Sequence, residues 1–380
     1  MNKREFIKYS SYLIGGTFLG GQITTATPFF TEKRGKRKNG NRLELRFTPF
    51  TLQLKHAFTL STSSRTTTPV MLTEIEYDGI TGYGEASMPP YLGESHESVA
   101  KFLSLLNLSQ FTDPFLLVDI LQYVDSVMPG NYAAKASVDI ALHDLIGKLV
   151  GEPFYRLFGL NPAKAPLTSF TIGLDTPEII RQKVSEAEPY KVLKVKLGRD
   201  NDREMVEVIR SLTDKPLCVD VNQGWKDRSY ALEMAVWLKE KNTIFLEQPM
   251  PKEMKDDIAW LTQKSPLPIV GDEAIQNIGD LLNNRDVYSG INIKLMKCGG
   301  LNAAMKMINV ARAFSMKVMI GCMTETSCAV TAAAHLSPLV DWCDLDGNLL
   351  ISNDPFEGLK IIDGKVTLPG KPGLGIIKKS

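Results

Sequence analysis

Lys196, Asp220, Glu247, Asp272 and Lys294 are separated by 24, 27, 25 and 22 residues. Each lies at the end of a short run rich in apolar and β-branched residues: Val192–Leu197, Leu217–Val221, Ile244–Glu247, Ile269–Asp272 and Ile291–Lys294. The gaps match the length of one strand–helix unit, so the five charges share one phase of a repeat. In a parallel barrel, successive strand ends converge on one mouth, where chemistry is done. Three carboxylates meeting there would repel and raise one another's pKa. A divalent cation is the simplest remedy. Three single oxygens with open positions suit Mg²⁺, and the lack of His or Cys among them argues against zinc. Asn222, two residues past Asp220, faces the same way and could support the site.

Lys194-Val195-Lys196 adds a second chemistry. Alternation puts both lysines on one strand face and Leu193, Val195 and Leu197 on the other. The apolar face would meet helices, so the lysines enter the mouth. Burying two ammonium groups together should lower at least one pKa and yield a neutral amine. Lys294 sits four strands away, on the opposite wall. Two bases flanking a metal suit removal of a proton from one face of a carbon and its return to the other. The metal would hold a carboxylate and stabilise the enediolate.

The elements that must position these groups follow a regular alternation after Pro166. Ser169–Gly173, Val318–Gly321 and Trp342–Leu345 complete a set of eight strand-like runs, the first seven each followed by a helical stretch. Asp175-Thr176-Pro177-Glu178 is one such helix start, with Pro just inside it. The pattern predicts an α/β fold, a (β/α)₇β barrel over 166–350. A doubly wound open sheet is the alternative, but no Gly-rich turn follows the first strand. Residues 43–165 read as an α+β domain, with strands at Leu43–Leu54 and Val70–Tyr77 and a helix over Ala134–Lys148.

Residues 1–42 are of another kind. They carry nine basic and two acidic side chains, a net of +7, which leaves −6 for the rest of the 380 residues. A basic start through Lys8 precedes an uncharged stretch, Tyr9 to Ala26. This is similar to a twin-arginine export signal with Lys3-Arg4 as the pair, followed by a basic linker. It predicts an exported, periplasmic protein, or a cytoplasmic one if the signal does not function. The Gly, Ser and Thr in the stretch make a stable membrane span in the mature protein unexpected. The near-neutral total charge gives no reason to expect nucleic acid as a partner. Cys218, Cys298, Cys322, Cys328 and Cys343 are odd in number and lack zinc spacing, so they read as buried free thiols.

Lys194-Val-Lys196, Asp220-Val-Asn222-Gln-Gly-Trp225, Glu247-Gln-Pro249, Gly271-Asp272-Glu273 and Asn292-Ile-Lys294-Leu-Met-Lys297-Cys-Gly299-Gly300 together resemble the enolase superfamily, in its muconate-lactonizing-enzyme subgroup. The resemblance runs from about Leu43 to the C-terminus. It implies an α+β cap over the barrel, with 351–380 returning to the cap. It further implies one Mg²⁺ on Asp220, Glu247 and Asp272, Lys196 and Lys294 as the acid/base pair, and Lys194 tuning Lys196.

The subgroup holds racemases, epimerases, cycloisomerases and o-succinylbenzoate synthases. Asp344-Leu-Asp346 on the eighth strand places two carboxylates at the mouth, suited to a substrate ammonium. A helix cap or solvated turn before Gly347 is the plainer account of them. The pair looks like that of dipeptide epimerases, and the resemblance implies a dipeptide substrate such as L-Ala-D/L-Glu, met in murein peptide breakdown. It also implies that Met323 lines a side-chain pocket and that Glu325 sits behind it. Phe58–Arg65 corresponds to a first mobile loop whose Arg65 would bind a side-chain carboxylate. Gly84-Glu85-Ala86 and Pro89–Glu94 would form a second, with Tyr91 either closing over the pocket or simply packing. An N-succinylamino-acid racemase or o-succinylbenzoate synthase, and a non-catalytic periplasmic peptide-binding protein, are the competing expectations. A homo-oligomer is compatible with all of them.

Overall fold

Alternating burial explains the first sheet. The computed structural model describes residues 41–59, 64–173 and 176–379, so residues 1–42, where an export signal and linker are expected, lie outside the described residues apart from Asn41 and Arg42. β1 (Glu44–Thr59), β2 (Ser64–Tyr77) and β3 (Ile80–Ser87) form an antiparallel meander. Met71, Thr73, Ile75 and Tyr77 of β2 point to the buried face. Asp78 and Gly79 join β2 to β3 with φ of 52° and 76°. Positive φ at both centres gives the turn whose twist matches a hairpin.

The helix Tyr132–Val150 lies across this sheet and is buried on nearly every side. It approaches closely because β3 presents Gly82 and Gly84. A Cβ on Gly84 would fall 1.9 Å from the Ser137 carbonyl oxygen, and one on Gly82 2.1 Å from that of Ala141. The expected loop at Gly84–Ala86 is therefore a correction: these residues belong to β3, and the glycines serve packing rather than a turn. Gly84→Ala should destabilise the chain by about 1–3 kcal/mol through overpacking. A lowered urea midpoint with unchanged slope would show it, and an unchanged midpoint would refute it.

Eight parallel strands follow: β4 (Ser169–Ile172), β5 (Val192–Lys196), β6 (Leu217–Asp220), β7 (Thr243–Glu247), β8 (Ile269–Gly271), β9 (Gly290–Lys294), β10 (Lys317–Gly321) and β11 (Trp342–Asp344). They pair in sequence order. A parallel bridge between Thr168 and Cys343 joins the two ends. Helices stand between them, so this is the (β/α)₇β barrel that the repeat predicts.

Period two sorts the strand residues. Leu193, Val195, Val219, Leu246, Ile269, Ile291 and Ile320 belong to the core shared with the helices. Cys218, Phe245, Val270 and Met319 form a separate buried cluster. Two residues on from Cys218, Phe245 and Val270, the same inward face carries Asp220, Glu247 and Asp272. The apolar layer thus plugs the barrel below the charges and holds them at the C-terminal mouth.

The segment after Ile351 runs back to the first sheet. Ser352 N donates to the Gln53 carbonyl at 2.9 Å, and Phe154 N to that of Gly373 at 2.9 Å. Asp144 in the long helix accepts from Tyr83 N and from Leu374 N, linking sheet, helix and C-terminal segment. All five cysteines are free and buried. Among the described residues no helix is long and apolar enough to cross a membrane.

Candidate active site

The mouth gathers the residues that share the sequence phase. Asp220 and Glu247 are fully buried, and Asp272, Lys194, Lys196 and Lys294 nearly so. One carboxylate oxygen from each of Asp220, Glu247 and Asp272 lies within 4.8 Å of the others. Three non-glycine residues just beyond two of these acids hold positive φ: Asn222 (45°), Gln223 (68°) and Gln248 (38°). Such backbone persists where surrounding bonds over-determine it. The side chain of Gln248 shows how: its Oε1 accepts from Asp272 N (3.0 Å) and Ala274 N (3.2 Å), and its Nε2 donates to Tyr288 Oη (3.0 Å).

Each acid has one oxygen fixed from outside the cluster. Asp220 Oδ1 accepts from Asn222 N at 3.0 Å, Glu247 Oε1 from Asn292 Nδ2 at 2.6 Å, and Asp272 Oδ1 from Lys297 Nζ. The second oxygens meet ammonium groups instead. Asp220 Oδ2 is 2.6 Å from Lys196 Nζ and 3.0 Å from Lys194 Nζ. Asp272 Oδ2 is 2.8 Å from Lys294 Nζ. Glu247 Oε2 has Lys194 Nζ at 2.8 Å but no hydrogen bond of good geometry. Three buried carboxylates, each with a single oxygen committed elsewhere, fit a cation that takes one oxygen from each. That donor set suits Mg²⁺.

Burial pushes the Glu247 carboxyl up to about 7, with Asp220 adding to the shift. Asp220 is buried too, but Lys196 and Lys194 pull it down to about 2. The expectation that paired lysines would become neutral is corrected for Lys194. Burial disfavours its charge, yet Asp344, Glu247 and Asp220 outweigh burial and raise its pKa well above the usual range. Lys294 is raised likewise, by Asp272 and then Tyr91 against the cost of burial. The acids around the mouth hold these lysines as ammonium ions.

Asp344 and Asp346 stand at the end of β11. Asp344 Oδ2 lies 2.6 Å from Lys194 Nζ, and its Oδ1 accepts from Ser169 Oγ at 2.8 Å. Asp346 Oδ2 accepts from Thr171 N at 2.8 Å. Asp346 stands at the N-terminal end of a short 3₁₀ turn, where its carbonyl accepts from Leu349 N at 2.9 Å, but neither aspartate's side chain bonds to that turn, so the carboxylates are not spent on capping. Among the described residues Asp346 has no ion pair, and burial together with Asp344 pushes it up to about 6.

The N-terminal domain closes the mouth. Arg65, Pro89, Pro90 and Tyr91 line a cavity of about 150 Å³ together with the lysines, Asp272, Met323, Asp344 and Asp346. Tyr91 Oη donates to Met323 Sδ at 3.1 Å, although the residue as a whole is 45% exposed. Arg65 Nη2 donates to Thr324 Oγ1 at 3.2 Å. Of the expected first loop, Phe58 and Thr59 pair with Arg65 and Ser64 across β1 and β2, and 60–63 lie outside the described residues. Glu85 of β3 accepts from Thr326 and Ala329 N–H groups and so caps the helix Ser327–Ala334. Glu325 is buried behind Met323 and accepts from its N–H at 2.9 Å.

Ser169, Thr171, Asn292, Gln248 and Lys297 went unassigned in the sequence. Alternation could have found three of them. Ser169 and Thr171 share the inward face of β4, and Asn292 shares that of Lys294 on β9.

Residues 178–377 match the family model described as enolase C-terminal domain-like, and 44–159 match the mandelate racemase / muconate lactonizing enzyme N-terminal domain. The chain is 56% identical to the L-Ala-D/L-Glu epimerase of Bacteroides thetaiotaomicron over 99% of both chains. It resembles the crystal structure of an Enterococcus faecalis dipeptide epimerase complexed with Mg and L-Leu-L-Tyr, with TM-score 0.81, 28% identity and coverage of 88% and 99%. It is also similar to an N-succinyl Arg/Lys racemase from Bacillus cereus, with TM-score 0.83, 27% identity and coverage of 90% and 96%.

Proposed function

Because the chain belongs to the mandelate racemase / muconate lactonizing enzyme family of the enolase superfamily, we propose that it is a Mg²⁺-dependent dipeptide epimerase, acting on L-Ala-D/L-Glu and its relatives. The observation that carries the dipeptide is Asp346. It is a buried carboxylate lining the cavity with no ion pair among the described residues, beside Asp344, which Lys194 already holds. A substrate ammonium supplies the missing charge.

Lys196 and Lys294 face the cavity from opposite walls. One, as amine, takes the Cα proton of the C-terminal residue. The other, as ammonium, returns one to the opposite face, so the two exchange protonation states with each turnover. Asp220, Glu247 and Asp272 would hold Mg²⁺, which supplies charge stabilisation to the enediolate oxygens. Tyr91 and Arg65 lie over the cavity from the first domain, and Arg65 supplies a guanidinium for a glutamate side chain.

Proton NMR in D₂O with Mg²⁺ and a library of L-Xaa-L-Xaa dipeptides tests this. Loss of the C-terminal α-proton with growth of a diastereomer is expected, and silence across the library would refute it. A second reading, N-succinylamino-acid racemisation, is favoured by the likeness to the Bacillus cereus enzyme. An N-succinyl group brings no positive charge to Asp346, so on this second reading the cation would have to come from an Arg or Lys side chain, and N-succinyl-Arg and N-succinyl-Ala assayed beside the dipeptides separate the two readings.

The N-terminal side chain has room. A second cavity of about 360 Å³, lined by Leu54, Phe170, Tyr190 and Leu349, shares Thr171 and Leu350 with the first. Dipeptides with N-terminal Phe or Leu should therefore keep kcat/KM within about tenfold of the N-terminal Ala compound. A loss of a hundredfold or more in that series would contradict it.

We further propose export, on the strength of the basic start and uncharged stretch of residues 1–26. The enzyme would then meet murein peptides outside the cytoplasm. Retention of the full-length protein in the cytoplasmic fraction of its host would refute this.

A further inference from the structure

The three carboxylates are not held alike. A backbone N–H fixes Asp220 Oδ1 and a side-chain amide fixes Glu247 Oε1, and both donors are neutral. Asp272 Oδ1 is fixed by a cation, Lys297. That ammonium also donates to the carbonyl oxygens of Asp272 (2.8 Å), Asn292 (2.8 Å) and Ile275 (3.3 Å). Its side chain is 1% exposed and does not line the cavity. Main-chain oxygens from the turn after β8 and from β9 thus build a seat for Lys297 that no substrate reaches.

Lys194, Lys196 and Lys294 differ in kind. They line the cavity and meet Asp220 Oδ2, Glu247 Oε2 and Asp272 Oδ2, the atoms a cation would use. Their contacts compete with a bound metal. The contact of Lys297 is on the other oxygen of Asp272 and does not compete.

We propose that Lys297 is a positioning residue that sets both the charge and the denticity of the metal centre. Among the groups that do not face the cavity, Lys297 is the ammonium on the three carboxylates, and it lowers their combined formal charge from −3 to −2 whatever the cavity lysines do. Because Lys297 occupies Oδ1, Asp272 offers the metal one oxygen only. Mg²⁺ accepts single carboxylate oxygens and fills its octahedron with water or substrate. Ca²⁺ takes six to eight oxygens and exploits bidentate carboxylates, which this contact denies it. Lys297 therefore biases the site toward Mg²⁺ over Ca²⁺. The inference rests on the reading of the triad as a Mg²⁺ site.

Titration calorimetry of the full-length protein with MgCl₂ and with CaCl₂ tests it without turnover. Lys297→Gln keeps a donor for Oδ1 but removes the charge. It should bind both cations at least about tenfold more tightly, with their Kd ratio unchanged. Lys297→Met removes donor and charge, and should shift the ratio toward Ca²⁺ by about a further tenfold. A merely structural lysine would weaken both cations together and leave the ratio alone. Wild-type or weaker Mg²⁺ binding by Lys297→Gln would overturn the proposal, as would an unmoved ratio in a folded Lys297→Met. If the Met variant fails to fold by circular dichroism, the Gln variant alone decides. Wild-type protein that takes up no Mg²⁺ would instead overturn the metal reading itself.

Discussion

Lys196→Ala and Lys294→Ala should each abolish epimerisation, lowering kcat by at least about 10³-fold, while each still exchanges the α-proton of one epimer with D₂O. The expectation follows from their places on opposite walls of one cavity. With one base removed, the other can still take a proton from the face it commands and return a deuteron to that same face. Proton NMR would then show loss of the α-proton signal with no growth of the diastereomer, for opposite epimers in the two variants. Removing either ammonium also leaves a buried carboxylate, Asp220 or Asp272, short of a partner. Breaking a buried pair in this way costs about 3–5 kcal/mol. Saturating Mg²⁺ should offset much of that by binding the folded state. Epimerisation surviving in either variant would refute the two-base assignment. So would loss of exchange for both epimers in folded, Mg²⁺-loaded protein.

The barrel was legible because each strand–helix unit returns a residue of the right type at the same phase. The inward face is set by a period of two, and Cys218, Phe245 and Val270 fall two positions before their acids. The sign of the lysine shifts was not legible. It depends on Asp344, which reaches Lys194 from 150 residues away. A strand pattern shows which way Lys194 points but not what arrives across the barrel to meet it. Lys297 was hidden for a similar reason. It sits on the four-residue helix Leu295–Cys298, too short to have a readable face, and is buried by the turn after β8. β3 had a usable signal in Asp78-Gly79, an Asp-Gly pair between alternating runs. Gly82 and Gly84 masked it, since glycines in a strand read as a loop until the helix packed on them is seen. Arg65 was placed by its neighbours in the chain, whereas its position depends on the register shift between Gln53 and Phe58.

Asp346→Asn should cost about 10²-fold in kcat/KM for a free dipeptide, chiefly through KM, because it removes the carboxylate at the end of β11 that, unlike Asp344, has no ion pair among the described residues. Thr171 N can still donate to the asparagine oxygen, so the turn at the end of β11 should hold. The pH dependence carries the same signature. In the wild type Asp346 is pushed up to about 6, so its charge is complete above that pH and is lost as the pH falls through it. The kcat/KM of the wild type should accordingly decline on the acid side near pH 6, and that limb should be absent in the variant. Stability should move the opposite way. A carboxyl whose folded pKa lies above its unfolded value binds protons more tightly when folded, so its ionisation destabilises the fold as the pH rises past it. At pH 8 the variant, freed of that buried charge, should unfold at a temperature no lower than the wild type. Tighter folding with weaker binding would mark Asp346 as a charge kept for substrate. A variant that instead loses stability at pH 8 while keeping its KM would show that Asp346 serves the barrel and not the ammonium.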